Sequence, residues 1–267
     1  MQANVQEHDA RRSGGVAFIV SRLATALVGF LVCGVLAGGV AYGQQETRER
    51  IEERIASGSK DFANLEAAGL DLSGLDFTGA NLFGANLRGA DLSRARLARC
   101  NLNVAIMRDA VLADADLSEA TLFSSVLANA DLRRADLHGA QLMGNFERAN
   151  LEGADLREVR GGADMRNQPM GLIRLVLTNA RLDGARLNGA DLSRADMSYA
   201  QLRGADLTNA DLTQAKLVGA DLTGATLTGA ALSRAEIHGA VFREVRDLRT
   251  VVGLNETLGR EAAEFDR

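Results

Sequence analysis

The chain holds few residues of the kinds that perform chemistry, and their spacing keeps them apart. Its three histidines, His8, His138 and His238, are far from one another in sequence. A metal centre or an acid–base pair needs such groups to converge. His138 and His238 each follow an apolar residue that recurs at a fixed interval (Leu137 and Ile237), so both are expected as exposed surface side chains. The aspartates are more regular: Asp91, Asp116, Asp131, Asp191, Asp206 and Asp211 each stand immediately before a leucine. Such a column suggests a calcium ladder, but calcium needs several oxygens converging on one point. Arg96, Arg181, Arg186 and Lys216 occupy the same register and break the series. The two cysteines, Cys33 and Cys100, have neither disulfide nor metal spacing. Cys100 stands two residues before Leu102, a packing position. No phosphate-cradling Gly loop, nucleophile–base pair or zinc signature occurs. The sequence therefore assigns no catalytic residue, no metal and no cofactor.

The elements that carry these residues follow an unusual rhythm. In "AQLRGADLTNADLTQAKLVGADLTGATLTGA" (200–230), an Ala and, two residues later, a Leu recur at every fifth position. On an α-helix five residues advance about 140° beyond a full turn, so the leucines would spiral and bury no face. In a flat strand an odd spacing throws successive leucines to opposite sides. Ala205 and Leu207 are two apart, however, so a short extended piece points both the same way. If the chain turns a corner after each pair, at Arg203-Gly204 or Thr208-Asn209, every pair faces inward. Repeated sides then wind into a solenoid whose bore is filled by alanines and leucines, among them Leu82, Leu87, Leu92, Leu182, Leu187, Leu192 and Leu207.

The run "GADLSRADMSYAQLRGADLTNADLTQAKL" (189–217) resembles the pentapeptide-repeat proteins, whose units read A-[DN]-L-x-x. The resemblance implies an all-β fold, a right-handed quadrilateral β-helix with four units per coil. The beat runs from Leu72 to Leu142, slips by one residue at Phe146, and is lost between Arg157 and Val176, a stretch containing the single proline, Pro169. It resumes at Leu177 and continues to Phe242. That is about 32 units, or roughly eight coils, a rod on the order of 40 Å long at ~4.8 Å per strand. The expected organisation is a capping helix or linker over 44–61, a first tract over 62–156, an inserted loop over 157–176 (the alternative being a boundary there between two stacked rods), a second tract over 177–247 and a C-terminal cap over 248–267. Short helical caps suit a solenoid, whose end coils expose unpaired strand edges. "ETRERIEERIASGSKDF" (46–62) can form one, with Ile51 and Ile55 on one face.

Residues 1–43 differ from the rest. Arg11, Arg12 and Arg22 precede the uncharged segment Leu23–Leu36, and Ala41 and Gly43 provide small residues two apart. This is the layout of an N-terminal hydrophobic export segment, either a signal peptide cut after Gly43 or a membrane anchor through residues 23–42. Both place the repeats outside the cytoplasm, periplasmic or anchored at the inner membrane. Val32 before Cys33 spoils a lipoprotein box, and Arg11-Arg12 lacks the apolar pair of a twin-arginine signal.

Among 267 residues the net charge is −5, with both signs interleaved through the repeats, which argues against nucleic acid. With four units per coil, residues 20 apart share a face. Phe83, Asn103, Phe123 and Met143 then form a column pointing away from the bore, with Arg88, Arg108, Ile106 and Val126 beside it. Exposed apolar patches mark partner surfaces; the competing expectation is that the inserted loop or a cap covers this one. The reading is a non-enzymatic scaffold in the periplasm or cell envelope that presents β-helix faces to an unidentified protein partner or to a second copy as a homodimer. The alternative, from the same resemblance, is a DNA-mimicking protein that binds a topoisomerase such as gyrase; that role needs a cytoplasmic location and a dominantly acidic face. An enzyme built on the insertion would have Asp164, Arg166 and Asn167 to work with.

Overall fold

The structure, a computed structural model, describes residues 46–162 and 174–266. The export segment, His8, Cys33, Asp164, Arg166 and Asn167 lie outside the described residues.

Each five-residue unit folds as one side of a coil, and its hydrogen bonds explain the motif. In Gln201–Ala205, Gln201 N–H donates to the Ala180 carbonyl of the preceding coil at 2.9 Å. Leu202 and Gly204 donate to Asp221 and Thr223 of the following coil at 2.7 and 2.9 Å. Ala205 N–H closes the corner on the Leu202 carbonyl at 3.1 Å, with Gly204 at φ +64°. A positive φ at the third residue of such a corner alone is the mark of a type II turn, which Gly adopts without strain. One N–H per unit remains, that of the residue after the leucine. In Gln201–Ala205 it is that of Arg203, and Asp183 Oδ1 of the preceding coil accepts it at 3.0 Å. Where Asp or Asn precedes the central apolar residue, that side chain accepts it: Asp71 Oδ1 from Ser73 at 2.9 Å, Asp136 Oδ1 from His138 at 2.9 Å, Asn145 Oδ1 from Glu147 at 2.9 Å. The Asp or Asn of A-[DN]-L is thus a turn-closing acceptor.

Rungs pair in parallel with the equivalent residue one coil on, as Asp61 with Asn81 and Asn81 with Asn101. That offset equals four five-residue sides, so the coil is four-sided. One face carries the rungs Asp61, Asn81, Asn101, Thr121, Gln141, Arg160, Asp191, Asp211, Ala231 and Val252. Ten rungs replace the eight coils expected from the motif, because the ladder continues at its ends through residues that lack the Ala–Leu signature. At ~4.8 Å each they span on the order of 45 Å. Leu82, Leu87, Leu92, Leu182, Leu187, Leu192 and Leu207 are fully buried in the bore, alternating with alanines. Each such leucine contributes about 2 kcal/mol by leaving water.

The ladder also crosses the interruption. Asn145 pairs with Val176, and Arg160 with Asp191, so one rod continues on both sides. The loop bounds of 157–176 need correction: residues 157–161 and 175–176 still take part in the ladder. Val159 and Leu175 are buried where alanines stand elsewhere, and Arg160 and Val176 are rungs. The backbone kept its course there while the side chains departed from the motif.

The one-residue slip before Phe146 produces the longest strands. β1 (Thr121–Val126) and β2 (Gln141–Asn145) pair in parallel, with a register shift between Phe123 and Val126. The shorter β2 draws its backbone against β1, and a Cβ on Gly144 would lie 2.5 Å from the Ser125 carbonyl oxygen. Only glycine fits that approach.

Both ends are closed, by different means. Helix α1 (Arg48–Ala56) is shorter than 46–62. It ends at Gly58, φ +83°, with Ser59 N–H on the Arg54 carbonyl and Gly58 N–H on the Ile55 carbonyl, the Schellman arrangement. Ile51 is fully buried against the first coil. That coil has carbonyls with no coil before them, and cations take them: Arg48 reaches the carbonyls of Asp71 and Ser73 at 2.9 and 3.1 Å, Arg54 that of Asp61 at 2.9 Å, and Lys60 that of Thr78 at 2.8 Å. At the other end the expected helical cap over 248–267 is instead a further coil. Arg246, Val252, Leu258 and Glu264 are rungs six residues apart, each joined to the next by a corner that takes one more residue in a 3-10 turn. Strand β4 (Glu264–Phe265) pairs with β3 (Val241–Phe242), and the Phe242 and Phe265 rings stack at 5.1 Å.

Candidate interaction surface

Inside the rod, packing leaves no room for chemistry. Cys100 is buried, its thiol donates to the Phe77 carbonyl at 2.9 Å, and burial pushes its pKa up to about 11. Among the described residues, His138 and His238 stand on different faces of the rod and do not meet. His238 is exposed, whereas His138, expected on the surface, is half-buried with Nδ1 3.1 Å from the Arg157 carbonyl. A carbonyl only accepts, so that nitrogen carries the proton.

The rung carboxylates are engaged along and across coils. Asp76 pairs with Arg96 at 3.2 Å, and Asp155 with Arg157 at 2.6 Å and Arg186 at 3.3 Å. Burial pushes the Asp155 carboxyl up, but the side-chain and backbone donors of Arg157 and the charge of Arg186 outweigh it and hold the group below the usual aspartate value. Asp131, bonded to the Arg133 guanidinium, is likewise lowered.

The outer surface is where the chain departs from its own pattern. The column expected from the 20-residue spacing runs down one face: Phe83 is 44% and Phe123 39% exposed, and Met143, paired with Phe123, is half-buried. Asn103 lies between the phenylalanines, and its Oδ1 accepts Phe123 N–H at 2.8 Å. Around the corner Ile106 is 39% exposed beside half-buried Val126, with Arg88 exposed and Arg108 half-buried at the border. The corner between the two faces holds Val104, 46% exposed, which the motif did not flag. Its φ of +62° is costly for a β-branched residue, since Gly, Asn, Asp and Arg fill most such corners here. A valine where the turn asks for glycine or asparagine was the available signal. Strained exposed residues of this kind cluster at functional surfaces.

Further along the same corner the character changes. An open depression of about 280 Å³ lies over Ser124, Ser125, Val126, Gly144, Asn145, Arg174 and Val176. A second, about 400 Å³, is lined by Arg174, Arg194, Gln214, Lys216, Arg234, Glu236 and Leu258.

The model of the family "Pentapeptide repeats" matches in eight copies, over residues 61–103, 85–122, 110–144, 172–209 and 205–243. None of the curated proteins matches the chain. Among solved structures the chain is similar to HetL, a pentapeptide repeat protein involved in heterocyst differentiation regulation from the cyanobacterium Nostoc sp. strain PCC 7120, at 29% identity and TM-score 0.34, covering 82% of this chain and 94% of that one. It is similar to full-length QnrB1, a plasmid-mediated fluoroquinolone resistance protein, at 20% identity and TM-score 0.31, over 76% and 93% of the two chains. A pentapeptide repeat protein from the thylakoid lumen of Arabidopsis thaliana is 23% identical with TM-score 0.22, over 73% and 88%.

Proposed function

Because this chain belongs to the pentapeptide-repeat family, we propose that it is a non-enzymatic scaffold that binds a protein partner through the corner formed by Phe83, Val104, Ile106 and Phe123. The observation that carries this reading is the cluster of exposed large apolar side chains at one corner, on adjacent coils of a rod whose bore is full. Solenoids offer extended surfaces, and here Phe83, Val104, Ile106 and Phe123 stand together on neighbouring coils, while Val111, Tyr199, Val252 and Leu258 are exposed elsewhere. The winding is right-handed by family resemblance. The basic–apolar layout of residues 11–43 supports export, with the repeats periplasmic or held at the inner membrane. Among the described residues no helix is long and apolar enough to cross a membrane. A DNA mimic would need an unbroken acidic face, and Arg96, Arg181 and Arg186 interrupt the aspartate rungs.

Photo-crosslinking tests the surface. A photoreactive amino acid at Phe123 is expected to trap a discrete protein in cell-envelope extract, and the same probe at Asp183, on another face, is not. Equal trapping from both positions, or none from Phe123, would overturn the proposal.

A further inference from the structure

The same corner carries, beyond its apolar half, a run of cations that the rest of the rod does not balance. Arg194, Gln214 and Arg234 occupy successive corner positions, at φ +61°, +59° and +59°, and the Arg194 Nε donates to Gln214 Oε1 at 2.8 Å. Lys216 is the neighbouring rung, between Asp196 and Glu236, and Arg174 heads the series. Elsewhere Arg96, Arg99, Arg134, Arg157, Arg186 and Arg203 pair with carboxylates, while Arg88, Arg94 and Arg108, on other coils, do not. Among the described residues Arg174, Arg194, Lys216 and Arg234 form no ion pair. Four cations therefore line the 400 Å³ groove with Glu236 as its one carboxylate, in a chain of net charge −5.

We propose that this groove binds the acidic stretch of an extended partner segment whose apolar residues lie on Phe83, Val104, Ile106 and Phe123. The inference rests on the scaffold reading and adds the partner's chemistry to it. Unpaired cations on an exposed ridge complement carboxylates, and the apolar residues occupy the same corner on the coils that precede residues 163–173. From Val104 to Arg234 the corner rises six coils, about 29 Å, which an extended peptide covers in about nine residues. Single-stranded nucleic acid fits less well. No aromatic ring lines the groove for a base to stack on. The Glu236 carboxylate also repels phosphates, and the apolar half has nothing to offer a charged backbone.

The test uses the chain with a fluorescein-labelled peptide of about twelve residues, a length set by that span. It carries Phe and Leu at one end and glutamates alternating with serines over the remainder. Fluorescence anisotropy is expected to show binding that weakens at least tenfold in Arg194→Glu/Arg234→Glu and at least tenfold when the peptide's glutamates become glutamines. The variant should fold, since Glu119, Glu158 and Glu244 already occupy such corners at φ +57°, +57° and +55°. An unchanged melting curve would verify it. Equal affinity for the glutamine peptide, or no effect of the charge reversal, would overturn the proposal. So would tighter binding of a twelve-nucleotide oligothymidine that the same reversal abolishes. Phe83→Ser/Phe123→Ser separates the two readings. If it weakens peptide binding while the charge reversal does not, the corner still binds and only the acidic chemistry is wrong. If neither variant weakens binding, both readings fall.

Discussion

At the scale of single residues, the recurring aspartate is a backbone device. Its oxygen takes the one N–H that the ladder leaves over in its own unit, as in Asp71 with Ser73 and Asp136 with His138. The spacing revealed that these residues precede the inward leucines and point outward. It did not reveal their acceptor role, because that depends on a hydrogen-bond count within the folded corner. Val104 was also hidden, since its peculiarity lies in a dihedral angle rather than in its spacing. Val104→Asn should relieve the left-handed strain and stabilise the protein by about 1 kcal/mol. If the corner is the binding surface, the same change weakens partner binding. Chemical denaturation and anisotropy on one variant would read both effects. Cys100 follows from burial: its thiol should resist iodoacetamide at neutral pH in the native protein and react promptly in denaturant. Rapid labelling at Cys100 in the folded chain, read by peptide mapping to separate it from Cys33, would contradict the filled bore.

At the scale of elements, the five-residue beat made the sides of the coil legible and left its exceptions obscure. The insertion bounds were misplaced because Val159 and Leu175 hold inward positions without being alanine. The final coil was missed because its rungs, Arg246, Val252, Leu258 and Glu264, step by six. A search for fives cannot find sixes. Gly144 marks the slip between β1 and β2, and its side chain is forbidden by the Ser125 carbonyl at 2.5 Å. Gly144→Ala should therefore cost about 1–3 kcal/mol, as overpacking does. An unchanged denaturation midpoint would show that β2 lies farther from β1. Leu187→Ala, in the regular bore, should cost about 2–5 kcal/mol through its cavity.

At the scale of the whole molecule, the charged surface is mostly neutralised locally, and this sets the response to acid. The carboxyls of Asp76, Asp131, Asp155, Asp206 and Asp221 are all held below the ordinary value of 3.8. The folded state therefore binds protons less readily than the unfolded chain at these positions. Their stabilisation is present above that ordinary value and is lost as pH falls through the lower folded values. The melting temperature should hold level from about pH 7 to pH 5 and drop below about pH 4. Asp155→Asn should make the drop shallower. A melting temperature that rose on acidification would contradict the assignment.

One corner combines an apolar stretch, Phe83, Val104, Ile106 and Phe123, with a basic one from Arg174 to Arg234. The decisive measurement is the dissociation constant of the protein trapped at Phe123, compared between Phe83→Ser/Phe123→Ser and Asp183→Ser/Arg203→Ser, two variants on different faces, each first checked for an unchanged melting curve. Binding through the apolar corner predicts at least a tenfold loss in the first and no change in the second. Equal losses, or none in either, would place the function elsewhere on the molecule.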